Sequence, residues 1–487
     1  MPETATAPAR QAPAPGWQEE VYRRAGEVPD ISAFPTVDAL LADFHALAAE
    51  HPGLVRPRRV GTSRLGEPLE AFTIGEAGAD GPAHLVVGGV HPNEPIGACT
   101  ALHLARLLCD DEGLRRRLGA TWHVVPCVDP DGARLNEGWF AGPFDRGHYA
   151  RHFYRPAPAE QVEWSFPLAY EKAYFDQTTS ETFALMRLID DVRPELMVTL
   201  HNGEMGGVYY YLSREVPGLV PALHALPGHL GLRLARGEPE DPLAPLWADA
   251  VFGMADVRSH YDHRESLGLD PVGMVQGTSS ADYASRHGTT SLVAELPYWS
   301  HPAADDTSES GRTYADVLRE KADALGASGR ELADLLAEAE PLLDQDTPFL
   351  RASRAFVPMF ASLAEQERAR SGAPDASRPA RVAEVFDAED LVRCFRLRYG
   401  GMLVRALGAP VAAGTAPALL RRLHARAVAL YERWQEEAAR LEGTELLPIA
   451  RLVGVQVGST LAAALALQAE QSAAGTDRPP SPEGSPS

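Results

Sequence analysis

The chain is 487 residues long, room for roughly two or three domains, and 45% of it is apolar, enough to bury large cores. Its formal net charge of −22 excludes nucleic acid as the main partner, because a phosphate backbone needs a basic face. Four cysteines (Cys99, Cys109, Cys127, Cys394) are too few and too scattered for a disulfide framework, and none forms a C-x-x-C pair for a thiolate metal site.

In chain order, the Pro/Ala-rich residues 1–16 are expected to be disordered. They lack the basic start and apolar run of a secretion signal, so a cytoplasmic protein is expected. Val37–Glu50 carries helical apolar spacing. Ala83–Val90 (AHLVVGGV) reads as a strand, followed by His91-Pro-Asn-Glu94 and a helix over Pro95–Cys109, with Pro95 suited to its first turn. Thr121–Val128, Leu196–Leu200, Val208–Leu212 and Thr290–Leu296 are further strand candidates. This alternation predicts an α/β domain over 17–310, with helices on the faces of a sheet. From 311 to 470 the pattern is helical almost throughout, split by the loop Ser371–Pro379. It predicts an all-α C-terminal domain that packs on the first or mediates homo-oligomerisation. Leu446–Gln468 is apolar enough to imitate a membrane span, but it holds Pro448, Arg451 and Gln456. A buried helix, and no membrane partner, is expected. Residues 471–487 read as a disordered tail.

The chemistry concentrates at strand ends. An imidazole and a carboxylate from His91 and Glu94, in the turn after a strand, can reach one ion, and His201, closing the strand LMVTL, can supply a third ligand. Three ligands leave a position open for water, the arrangement of a catalytic zinc site. H-x-x-E occurs again at His201–Glu204, so the motif alone carries little weight; its position after a strand separates the two. Glu295 lies inside the apolar run SLVAELPYW, where a carboxylate either faces a cleft or is expensive to bury.

These residues resemble the M14-type zinc carboxypeptidases. The likeness runs in order from about Phe34 to Ser300. It comprises the first helix, Gly61-Thr-Ser-Arg-Leu-Gly-Glu-Pro68 (similar to G-x-S-x-x-G-x-P), HPNE, Asp129-Pro-Asp-Gly132 (similar to NPDG, with Asp for Asn), His201 and Glu295. The resemblance implies a mixed sheet of about eight strands between helices. It also implies one zinc per chain on His91, Glu94 and His201, and hydrolysis of a C-terminal amide bond in a peptide or peptide-like substrate. Glu295 would then be the general base and Arg134 the cation for the oxyanion. Arg151, in Ala150-Arg-His-Phe153, would grip the substrate carboxylate, although the family's preceding Asn is missing and Arg146 or Arg155 are alternatives. Ala281 and Asp282 fall in the expected specificity segment. The family's capping tyrosine has no counterpart at Gly273-Met274-Val275; Tyr261, Tyr283 and Tyr209–Tyr211 are substitutes. Two other readings stay open: a zinc amidohydrolase of the aspartoacylase or desuccinylase kind, and a peptide-binding pseudo-peptidase.

Overall fold

The computed structural model describes residues 16–76, 81–241, 243–266, 268, 270–272 and 275–476. The expected disorder over 1–15 and 477–487 lies outside these residues, as do Gly273 and Met274. Residues 471–476, expected in the disordered tail, continue the last helix.

Among the described residues, eleven strands precede residue 296: β1 (Val55–Thr62), β2 (Pro68–Ile74), β3 (Ala83–Val87), β4 (Thr121–Val125), β5 (Leu168–Tyr170), β6 (Ala173–Phe175), β7 (Leu196–Leu200), β8 (Tyr209–Leu212), β9 (Leu246–Ala248), β10 (Val251–Gly253) and β11 (Thr290–Glu295). Nine of them form one mixed sheet in the order β1-β2-β4-β3-β7-β11-β8-β10-β9, while β5 and β6 pair apart from it. The central four, β4-β3-β7-β11, are mutually parallel; β2 and β8 join them antiparallel on either side. The inner strands AHLVV, LMVTL and TSLVAE are near-continuous apolar runs because helices cover both faces of the sheet.

The sheet exceeds the expected size of about eight strands because β9 and β10 are only three residues each, too short to show an alternating pattern. β3 and β4 stop three residues earlier than their apolar runs. The chain turns there through Gly89 at φ +65°, where an added Cβ would lie 2.7 Å from Cys127 Sγ. Helix Ile96–Asp110 then approaches β7 so closely that a Cβ on Gly97 would sit 2.8 Å from Leu200 Cβ.

Beyond residue 310, helices Tyr314–Ala339, Pro348–Arg370, Val382–Ala412 and Ala418–Ala439 pack on one another as a bundle. The last helix, Ile449–Thr476, leaves the bundle and lies against helices Trp17–Ala25, Ile96–Asp110 and Leu219–His229. Its apolar stretch is 94% buried inside the protein, as expected for a core helix. Short strand pairs also stitch the two regions: Trp299–Ser300 with Glu445–Leu446, and Glu309–Thr313 with Pro379–Arg381. One apolar cluster runs from Phe44 and Leu104 through Leu452 and Val455 to Phe360. The change of character near residue 310 therefore marks a change of secondary structure within a shared core.

Candidate active site

Adjacent parallel strands β3, β7 and β11 deliver the chemistry at their carboxyl ends. The turn after β3 carries His91 and Glu94, His201 follows β7 directly, and Glu295 is the last residue of β11. His91 Nδ1 lies 3.1 Å from both Glu94 oxygens and 3.1 Å from His201 Nδ1, which is 3.2 Å from Glu94 Oε2. Glu295 Oε1 is 3.8 Å from His201 Nδ1. All four side chains are buried. The two Nδ1 atoms converge because the opposite nitrogens are engaged elsewhere: His201 Nε2 faces Thr199 Oγ1 at 3.2 Å, and His91 Nε2 faces Arg155. The Asn202 N–H donates to Glu94, and the Tyr298 hydroxyl donates to the Asn93 carbonyl at 2.8 Å, which steadies the turn.

The charges are strongly coupled. Burial, then the Arg155 guanidinium, pull His91 down to about 3, so its imidazole is neutral. Burial works against charge on His201 too, but the Glu94 carboxylate outweighs it and lifts His201 to about 9. Glu94 is driven well below its ordinary range: burial opposes this, and His91, His201 and Arg155 together prevail. Burial and the nearby Glu240 carboxylate hold Glu295 well above the usual range, giving a carboxylate of high basicity.

His91, Glu94 and His201 fit a zinc ion on their donor chemistry. Two imidazole nitrogens and a carboxylate oxygen lie within 4.8 Å of one another in a buried cluster.

The arginines are arranged differently from expectation. Arg134 is turned away by Glu67 and Asp38, to which it donates at 2.9 and 2.7 Å near the surface. Arg151 is exposed, with its charge felt by Tyr431 on helix Ala418–Ala439. Arg146 is consumed in a buried ion network with Glu204 and Asp390. The cation at the cluster is Arg155, which donates to Glu94 Oε1 at 3.1 Å and to His91 Nε2 at 2.8 Å. Its position four residues after Arg151 could be found only by knowing that helix Arg146–His152 ends before it. Asp282 is paired with Arg258 at 2.6 Å and Thr278 at 2.9 Å, so its charge is already compensated, and Ala281 packs against an apolar cluster.

Glu163 belongs to no motif in the sequence. It is buried, accepts the Ser280 hydroxyl at 2.7 Å, and its charge is felt by His201. The one signal was an acid inside the apolar alternation QVEWSF. Among the substitute tyrosines, Tyr209 on β8 lies opposite Glu295 in register, whereas the Tyr283 hydroxyl donates to Asp190.

With this geometry in view, the family model described as zinc carboxypeptidase matches residues 40–218. Over that stretch the chain is similar to the zinc carboxypeptidases. The segment begins inside helix Val37–Glu50 and takes in the HPNE turn and His201, that is, all three metal-ligand candidates. Carboxypeptidase B of Astacus astacus is 26% identical over 105 residues, covering 21% of this chain and 35% of that protein. Carboxypeptidase A2 of Mus musculus is 27% identical over 108 residues, 21% of this chain and 26% of that one. The matches thus span about a third or less of these curated relatives. Among solved structures, carboxypeptidase A of Helicoverpa armigera aligns at 14% identity and TM-score 0.36, covering 73% of this chain and 79% of that one. A metallo-carboxypeptidase of Burkholderia cenocepacia aligns at 17% identity and TM-score 0.33, covering 54% and 60%.

Proposed function

We propose that the protein is a zinc-dependent carboxypeptidase that removes the C-terminal residue of a peptide or peptide-like substrate. The observation that carries this reading is the convergence of two imidazoles, a carboxylate and the strongly basic Glu295 at three adjacent strand ends. His91, Glu94 and His201 would hold the metal, which when bound polarises a carbonyl and eases deprotonation of water. Glu295 takes the proton of the attacking water on its carboxylate and delivers it to the leaving amine nitrogen. Burial keeps Glu295 in one place and raises its affinity for that proton. Arg155 supplies the positive charge beside the ligands, and its fork geometry suits a terminal carboxylate.

A second reading, an amidase indifferent to a free C-terminus, is favoured by the exposure of Arg151 and the missing Asn before it. Zinc-loaded protein is therefore tested on one peptide as free acid and as C-terminal amide. A carboxypeptidase releases the terminal residue of the acid and cleaves the amide poorly. Arg155→Ala at saturating zinc should lose roughly ten- to hundredfold in kcat/KM on the acid and little on the amide. Equal cleavage of both peptides would establish the amidase, and no cleavage by zinc-loaded protein would remove the hydrolase reading.

A further inference from the structure

The last helix supplies a buried amide directly behind the ligand-bearing strand ends. Gln456 Nε2 donates to the His201 carbonyl at 2.6 Å and reaches the Ala294 carbonyl at 3.5 Å, and its Oε1 accepts the Thr100 hydroxyl at 2.6 Å. Gln456 and Thr100 are both buried to 1% exposure or less. Each partner borders the site. His201 is a metal-ligand candidate, Ala294 precedes Glu295, and Thr100 lies on helix Ile96–Asp110 that begins just after Glu94. One side chain thus ties together the three backbone segments that carry the ligands and the base.

We propose that Gln456 is a positioning residue of the metal centre, and that helix Ile449–Thr476 is a working part of that centre. The inference rests on reading His91, Glu94 and His201 as metal ligands. A primary amide is the group the place requires: its two N–H donors serve the two carbonyls and its oxygen serves the hydroxyl. A carboxylate there would offer no donor, and an apolar side chain would leave two carbonyls and a hydroxyl unpaired in the core. Gln456 anchors the His201 carbonyl from behind the site, and the imidazole leaves from the same residue. Loosening the amide therefore frees His201 and Glu295 relative to Glu94.

Zinc affinity, measured by chelator competition, and the visible spectrum of the cobalt(II)-substituted protein read this arrangement without reference to turnover. Gln456→Leu should weaken zinc roughly ten- to hundredfold, as loss of outer-shell support does, and alter the cobalt spectrum. Gln468→Leu removes an amide of the same helix that donates to the Arg117 carbonyl at 3.0 Å, at helix Glu112–Leu118. It should lower the melting temperature while leaving zinc affinity and spectrum at wild-type values. A folded Gln456→Leu with wild-type affinity and spectrum overturns the proposal. Should that variant not fold, the nearly isosteric Thr100→Val unclamps the amide from its other end and should weaken zinc several-fold; wild-type affinity there overturns the proposal equally. Wild-type protein that binds no stoichiometric zinc would instead overturn the metal-site reading on which it rests.

Discussion

Glu295 and Asp129 illustrate two uses of a buried carboxylate. Glu295 ends β11 beside His201 and is held basic by burial and by Glu240. Glu295→Gln preserves the shape but cannot accept a proton, so kcat should fall at least ~10²-fold with zinc still bound. Near-normal turnover would place the base elsewhere, with Glu163, whose charge reaches His201, the first acid to test. Asp129 caps the short helix Pro130–Arg134 by accepting the Gly132 N–H at 2.9 Å, and burial raises its carboxyl to about 7. Because this lies above the unfolded value of roughly 3.9, the folded chain binds the proton more tightly. Stability is then greatest below about pH 4 as far as this group is concerned, falls between about 4 and 7, and stays reduced above. Asp129→Asn keeps the acceptor and removes the charge. It should add about 1–3 kcal/mol at pH 8 and almost nothing at pH 4, as read by denaturant unfolding at the two pH values. A pH-independent difference would show that the proton does not reside there.

At the scale of elements, helix Val382–Ala412 is locked to the segment around the site by a buried ion network. Glu204, three residues after His201, accepts from Arg146 and from Arg398 Nε at 2.7 Å, and Asp390 takes both terminal nitrogens of Arg146. Burial resists charge on Glu204, but the two guanidinium groups hold it down at about 2. Glu204 is compensated by Arg146 and Arg398 together, so removing Arg398 leaves excess negative charge in a buried place. Arg398→Met should destabilise the protein by about 3–5 kcal/mol, while Arg398→Met with Glu204→Gln, which restores neutrality, should recover much of that loss. Denaturant midpoints of the single and double variants decide it. An additive double variant would mean the network is a set of independent contacts. The same helix reaches the Arg155 segment, where Arg405 donates to the carbonyls of His152 and Phe153. The helical region thus borders both sides of the candidate site.

For the whole molecule, the candidate metal ligands follow β3 and β7, the amide behind them comes from the last helix, and all share one core. Zinc should accordingly act on global stability. At a hundredfold excess over its dissociation constant it contributes about 2.7 kcal/mol, so a chelator should lower the melting temperature by a few degrees and added zinc should restore it. An unchanged calorimetric transition would mean the metal bridges nothing that unfolds cooperatively. The sequence by itself determined the central strands and which three donor residues cluster at their ends, because both are local signals: apolar runs of strand length, a Pro-led helix start, and donor residues placed just after strands. It likewise determined that Glu295 sits in an apolar strand, where a charge needs a reason. Only the tertiary structure decided which cation stands at the cluster. Arg134, Arg146, Arg151 and Arg155 are equivalent in sequence, and their carboxylate partners Asp38, Glu67, Glu204, Asp390 and Glu94 lie up to hundreds of residues away. The place of Gln456 was equally hidden, since helical spacing shows that a residue is buried but not which strand ends its amide will meet.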